Sequence, residues 1–117
     1  MIRPYVPYYV GMVAPVTIPV ILLQQDFNEY LFNEVVTVID TATLHVLRPD
    51  GSTAAWDCAF FLDIPKQLVL ILRTVQAGDF TIAGTYDVYP EIFHSASGTA
   101  RFQTFPLVVL DAFQPSF

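Results

Sequence analysis

Hydrophobic and polar residues alternate with a period of two along most of this chain, the period at which successive side chains point to opposite faces of a β-strand. Ala42, Leu44 and Val46 alternate with Thr41, Thr43 and His45; beyond "RPDGS", Ala54, Trp56, Cys58 and Phe60 alternate with Ala55, Asp57, Ala59 and Phe61. Pro49 presets its own backbone angle and Gly51 tolerates positive φ, so the two runs are expected to pair as a hairpin across Asp50 and Gly51. "KQLVLILRTV" then predicts a further strand, and "QAGDFTIAG" a turn. In "TYDVYPEIF", Tyr86, Val88 and Ile92 fall on one side and Asp87, Tyr89 and Glu91 on the other. A polar turn, "HSASG", leads to "TARFQTFPLVVLDAF", with Phe102 and Val108 among the expected core positions.

The first part of the chain reads differently. Pro4, Pro7, Pro15 and Pro19 punctuate it, and proline neither donates to a sheet ladder nor fits inside a helix. Residues 1–15, rich in proline and tyrosine, are therefore expected to form an extended arm, with residues 16–117 forming the domain. Val16 to Leu22 predicts a strand through its β-branched residues. The segment "QQDFNEYLFNE" suits a turn or long connection, and its Phe27, Tyr30 and Leu31 also fit one turn of helix. About seven strands separated by regular turn signals, with no sustained helical period, predict an all-β antiparallel β-sandwich. In such a fold, a tyrosine opening a late strand buries its ring while its hydroxyl bonds the backbone at the corner, and Gly84-Thr85-Tyr86 fits that entry.

Composition narrows the setting. A chain of 117 residues supports one domain with one core. It is 54% hydrophobic and only 14% charged, against about 25% charged in an average soluble domain. This excess of apolar residues points to burial against partner subunits. The run from Val10 to Leu23 is shorter than the roughly 18 residues of a membrane-spanning helix and contains two prolines, so no membrane span is expected. The start lacks a basic region, clean apolar stretch and cleavage site, which makes the cytoplasm the expected place of synthesis. The net charge is −6, and Arg3, Arg48, Lys66, Arg73 and Arg101 are dispersed, so nucleic acid is not an expected partner.

Candidate chemistry is sparse. Cys58 is the single cysteine, which excludes an internal disulfide and a cysteine-cluster zinc site. His45 and His94 lie far apart, on a predicted strand and in a predicted turn, without the short spacing of a metal pair. No nucleophile elbow occurs, and "GDFTIAG" matches neither phosphate-loop spacing. Asp57 with Asp63, and Asp26 with Glu29 and Glu34, show neither a calcium-loop pattern nor a spacing that sets two carboxylates across a cleft. No catalytic residue, cofactor or metal site is therefore expected. The aromatic residues Tyr5, Tyr8, Tyr9, Phe27, Tyr30 and Phe32 crowd the first third of the chain. Such rings stack on sugars or anchor into neighbouring subunits, and their place in an arm and a loop favours the anchor.

The order "RPDGS", a hydrophobic strand, "QAGDFTIAGTYDVYPEIF", the turn at "SASG" and "FQTFPLVVLDAF" resembles the immunoglobulin-like domains of tailed-phage virion proteins. These include the amino-terminal domain of baseplate upper proteins and small head and tail proteins. The resemblance covers roughly residues 15–113; the arm and "QQDFNEYLFNE" depart from the pattern. It implies a non-enzymatic structural protein of the virion that decorates or cements the capsid. Its partners would be the major capsid protein or other virion proteins, and copies of itself, with a trimer expected. The expected interface anchors, Tyr5, Tyr8, Tyr9, Phe113 and Phe117, would account for the high apolar fraction of the chain. Alternatives are a tail, baseplate or head–tail connector component, and a carbohydrate-binding β-sandwich module.

Overall fold

The computed structural model describes residues 1–23, 26, 39–63, 65, 66, 68–94 and 98–111. Eight strands follow one another: β1 (Tyr8–Tyr9), β2 (Thr17–Leu23), β3 (Thr41–Leu47), β4 (Thr53–Asp63), β5 (Leu68–Thr74), β6 (Gly84–His94), β7 (Gly98–Arg101) and β8 (Phe105–Leu110). They form one curled, mixed sheet in the order β1-β8-β6-β3-β4-β5-β2, with β7 beside the far end of β6. Among the described residues there is no α-helix. The one-turn helix considered for Phe27, Tyr30 and Leu31 lies outside the described residues.

The expected β3–β4 hairpin forms with Ala42 opposite Cys58 and Val46 opposite Ala54. Its turn is held locally: Arg48 N–H donates to Ser52 O at 2.8 Å, and the Asp50 carboxylate accepts from Ser52 N–H at 2.9 Å. Gly84 opens β6 at φ +139°, and a β-carbon there would lie 2.5 Å from Pro49 Cγ, so the turn of one hairpin packs directly on the start of another strand. His94, expected in a turn, instead ends β6 and pairs with Gly98 of β7.

One set of alternate residues from every long strand points inside the curl. Ile18, Val20, Leu22, Leu44, Trp56, Val69, Ile71, Tyr86, Val88, Phe105, Leu107 and Val109 are all buried there. Val108, expected in the core, is 45% exposed. Four consecutive aliphatic residues, Leu107 to Leu110, leave the face ambiguous, and the large ring of Phe105 claims the interior for the odd positions. Phe102 is only partly buried against the core.

Two constraints close the curl. The strand β4 pairs with β3 through Thr53–Cys58 and with β5 through Ala59–Asp63, so it passes from one half of the sheet to the other midway. Arg73 sits at that passage. Its position continues the inward register of Val69 and Ile71, and the guanidinium is buried. It donates to both carboxylate oxygens of Asp79 at 3.1 and 2.9 Å and to Asp57 O at 2.9 Å, and lies 5.7 Å from the Trp56 ring centre. Asp79 also accepts from Gln76 N–H, which fixes the turn after β5. Phe80, next in sequence, packs against Tyr8, Trp56 and Tyr86 at centroid distances of 5.3, 5.8 and 5.8 Å. Each such pair contributes about 0.5–1.5 kcal/mol beyond the area it buries. Tyr86 donates its hydroxyl to Ile82 O at 2.8 Å, the corner expected from the sequence.

The second constraint is the amino-terminal segment. Residues 1–15, expected as an extended arm, lie against the sheet. Ile2 exchanges two 2.8 Å backbone bonds with Ile21 of β2, while β1 pairs parallel with Val109 and Leu110 of β8. The segment thus links the two outermost long strands. Tyr8 fastens it: the ring is 5% exposed, and the hydroxyl donates to Thr17 O at 2.9 Å. The terminal ammonium of Met1 pairs with Asp26 at 2.9 Å.

A buried ion pair costs heavily when one partner is lost, because the other charge stays behind unpaired. The substitution Asp79→Ala is expected to lower stability by about 3–5 kcal/mol in urea unfolding, and adding Arg73→Met is expected to recover most of that loss. A loss below about 1 kcal/mol in the single variant would show that the pair does not hold the passage.

Candidate functional site

Two surfaces stand out once the inward side chains are accounted for. The first is apolar and built from the amino-terminal segment and β8. Tyr5, Val6 and Val108 are 79%, 70% and 45% exposed, and together with Arg3, Pro4 and Pro106 they line a groove of about 220 Å³. The proline at 4 stiffens the segment, and Pro106 occupies an outward position of β8. Arg3 organises the patch: its guanidinium stands 4.7 Å from the Tyr5 ring centre and 5.8 Å from that of Phe105, with Nη1 3.4 Å from Pro106 O. A cation over the ring holds Tyr5 against the domain while leaving most of it in solvent.

The second surface is the outer face of β4, β3 and β6. The pleat puts Thr53 and Ala55 of β4, His45 and Leu47 of β3, and Asp87 and Tyr89 of β6 on this face, and small residues on β4 leave it hollow. These residues and Thr104 line an open cleft of about 650 Å³, within the size range of small-ligand sites. The His45 and Tyr89 rings stack at 4.8 Å and 16° along its wall. Beneath them Glu91 accepts from Arg101 Nε at 2.9 Å and lies 3.3 Å from His45 Nε2, out of line for a hydrogen bond. The other face of the Glu91–Arg101 pair is open to water, and such exposed pairs contribute little stability.

The predicted anchors are distributed unevenly. Tyr5 is on the apolar patch; Tyr9 is half-buried in β1; Tyr8 is buried in the domain's own core, where it performs closure. Phe113 and Phe117 lie outside the described residues. Sequence reasoning missed the cleft, because a hollow made by Thr53 and Ala55 beside a ring stack depends on strand register and not on any local motif. It also missed Arg73 with Asp79, although a charge in the inward alternation of "VLILR" carries that signal.

Among the described residues no three of the His, Cys, Asp and Glu groups converge as a metal ion requires. Cys58 is partly buried behind β3, and desolvation pushes its thiol up to about 11, so it is protonated at neutral pH. The Asp50 carboxyl is held below its usual range by the Ser52 side-chain and backbone hydrogen bonds, which tie the turn together. No known family model matches the chain, and no curated protein or solved structure is significantly similar to it.

Only the thiolate attacks disulfide reagents, so the folded protein at pH 8 is expected to react with a chromogenic disulfide at least tenfold more slowly than it does in 6 M guanidinium, as a rise from 9.0 to about 11 alone would more than produce. Equal rates in the two states would contradict the buried, protonated thiol.

Proposed function

We propose that this chain is a non-enzymatic, immunoglobulin-like structural module of a phage virion, which decorates or cements the capsid by docking its apolar surface on the shell. The immunoglobulin-like assignment draws support from the Tyr86 corner, the core Trp56 and the parallel pairing of β1 with the final strand. The virion assignment draws on the sequence resemblance, since a fold alone does not specify a function.

The observation that carries the docking surface is the exposed patch of Tyr5, Val6 and Val108 with Arg3 holding the tyrosine. Aromatic rings positioned before binding lose less entropy on docking, and apolar anchors of this kind supply most of an interface's energy. The acidic balance keeps an abundant protein soluble before assembly and turns it away from packaged nucleic acid. Major capsid protein or another virion subunit is the partner. A carbohydrate-binding module is the second reading, favoured by the cleft in which Tyr89 stands beside Asp87 and threonine hydroxyls.

The decisive experiment is to purify particles of the virus that encodes the chain and to quantify the protein in them by mass spectrometry and immunogold labelling. Many copies per head are expected. The double variant Tyr5→Ser/Val6→Ser should lower retention on shells at least tenfold with an unchanged circular dichroism spectrum, and Tyr89→Ala should leave it unaltered. Absence from purified particles, or retention on polysaccharide that is lost in Tyr89→Ala, would replace the capsid reading with the second one.

A further inference from the structure

The backbone hydrogen-bonding groups at the sheet margins are protected unequally. On β2 the residues whose N–H and C=O face away from β5 are Thr17, Pro19, Ile21 and Leu23, and each is blocked. Thr17 O accepts from Tyr8, Pro19 has no N–H, Ile21 is bridged to Ile2, and Leu23 N–H donates to the Asp26 carboxylate at 2.8 Å. On β1, Tyr9 O accepts from Met12 N–H, and Tyr9 N–H points at Met12 Sδ. The short β7 starts at a glycine and carries Arg101 at an outward position. Short strands, prolines and charges are the usual means of keeping an edge from pairing with another chain.

Among the described residues, the first half of β4 is less protected. The Arg48 N–H to Ser52 O bond sets the phase: Ala54, Trp56 and Cys58 bond toward β3, so Thr53, Ala55 and Asp57 direct their backbone groups outward. From Ala59 onward this same margin is taken by β5. Before it, Arg73 occupies Asp57 O, while Thr53 and Ala55 find no backbone partner among the described residues, and all three residues are exposed. No proline or lysine guards the stretch, and the side chains at 54 and 55 are methyl groups.

We propose that two copies of this chain pair antiparallel through this edge, about a two-fold axis at Ala55. An isologous contact needs a self-complementary strip. Here Ala55 meets Ala55 of the second copy, and Thr53 meets Asp57 on both sides, so a hydroxyl donor faces a carboxylate. The register that sets Asp57 against Asp57 brings like charges together and is disfavoured. The sheet then continues across the axis, and the two clefts lined by Thr53 and Ala55 open on the same side as neighbours. The pairing is independent of the apolar patch and of any virion location.

Sedimentation equilibrium over a concentration series tests it. The wild type is expected to show a monomer–dimer equilibrium. Ala55→Pro removes one outward N–H without touching the β3 ladder, and should weaken dimerisation at least tenfold while the circular dichroism spectrum is retained. The surface charge variants supply a check that does not rely on proline: Thr53→Asp should weaken the dimer and Thr53→Lys strengthen it, both effects shrinking in high salt. A wild type that is monomeric at every concentration, a dimer whose strength ignores Ala55→Pro, or a dimer indifferent to the charge at position 53 would overturn the proposal.

Discussion

The rest of this structure depends on a buried arginine at the place where β4 changes partners. A strand that leaves one half of a sheet for the other must break its ladder, and the carbonyl of Asp57 is stranded at the break. Arg73 satisfies that carbonyl, and Asp79 neutralises Arg73 from the following turn. Because Asp79 also receives Gln76 N–H, the same pair orients the turn that carries Phe80 into the cluster of Tyr8, Trp56 and Tyr86. One ion pair thus connects strand crossing, turn geometry and aromatic packing. Satisfied polar networks of this kind are valuable for specifying a single arrangement more than for raw stability.

The second dependence is on the first nine residues. A curled sheet with two free margins is an invitation to association, and here the amino-terminal segment removes most of it by bonding to β2 at Ile2 and to β8 at Tyr8 and Tyr9. Tyr8 contributes twice, with its ring in the core and its hydroxyl on the margin of β2. The same segment leaves Tyr5 and Val6 outside, so closure and presentation of an apolar surface come from one stretch of chain. Truncating the segment would remove the closing bonds and the exposed apolar residues together.

Much of the architecture was legible in local pattern. The β3–β4 hairpin follows from alternation on either side of Asp50 and Gly51, and the Tyr86 corner from a glycine two residues before a core tyrosine, because both depend on near neighbours in sequence. What was not legible depends on distant ones. Val108 could not be assigned a face within a continuous aliphatic run until Phe105 and Leu107 were seen to fill the interior. The reading of residues 1–15 as an arm rested on proline content, which excludes regular strand and helix but says nothing about a chain held by Ile2 and Tyr8. The cleft arises where small residues of β4 lie across from the rings of His45 and Tyr89, a juxtaposition set by register.

Among the described residues the margins of β1 and β2 are engaged, and the start of β4 is open at Thr53 and Ala55. Residue-resolved amide hydrogen exchange on dilute protein tests that account most directly, because each margin has named amides. The account predicts slow exchange at Ile21 and Leu23, whose N–H groups are engaged, and fast exchange at Thr53 and Ala55 within an otherwise protected β4. Rapid exchange at Ile21 and Leu23, or slow exchange at Ala55 in a monomer, would contradict it.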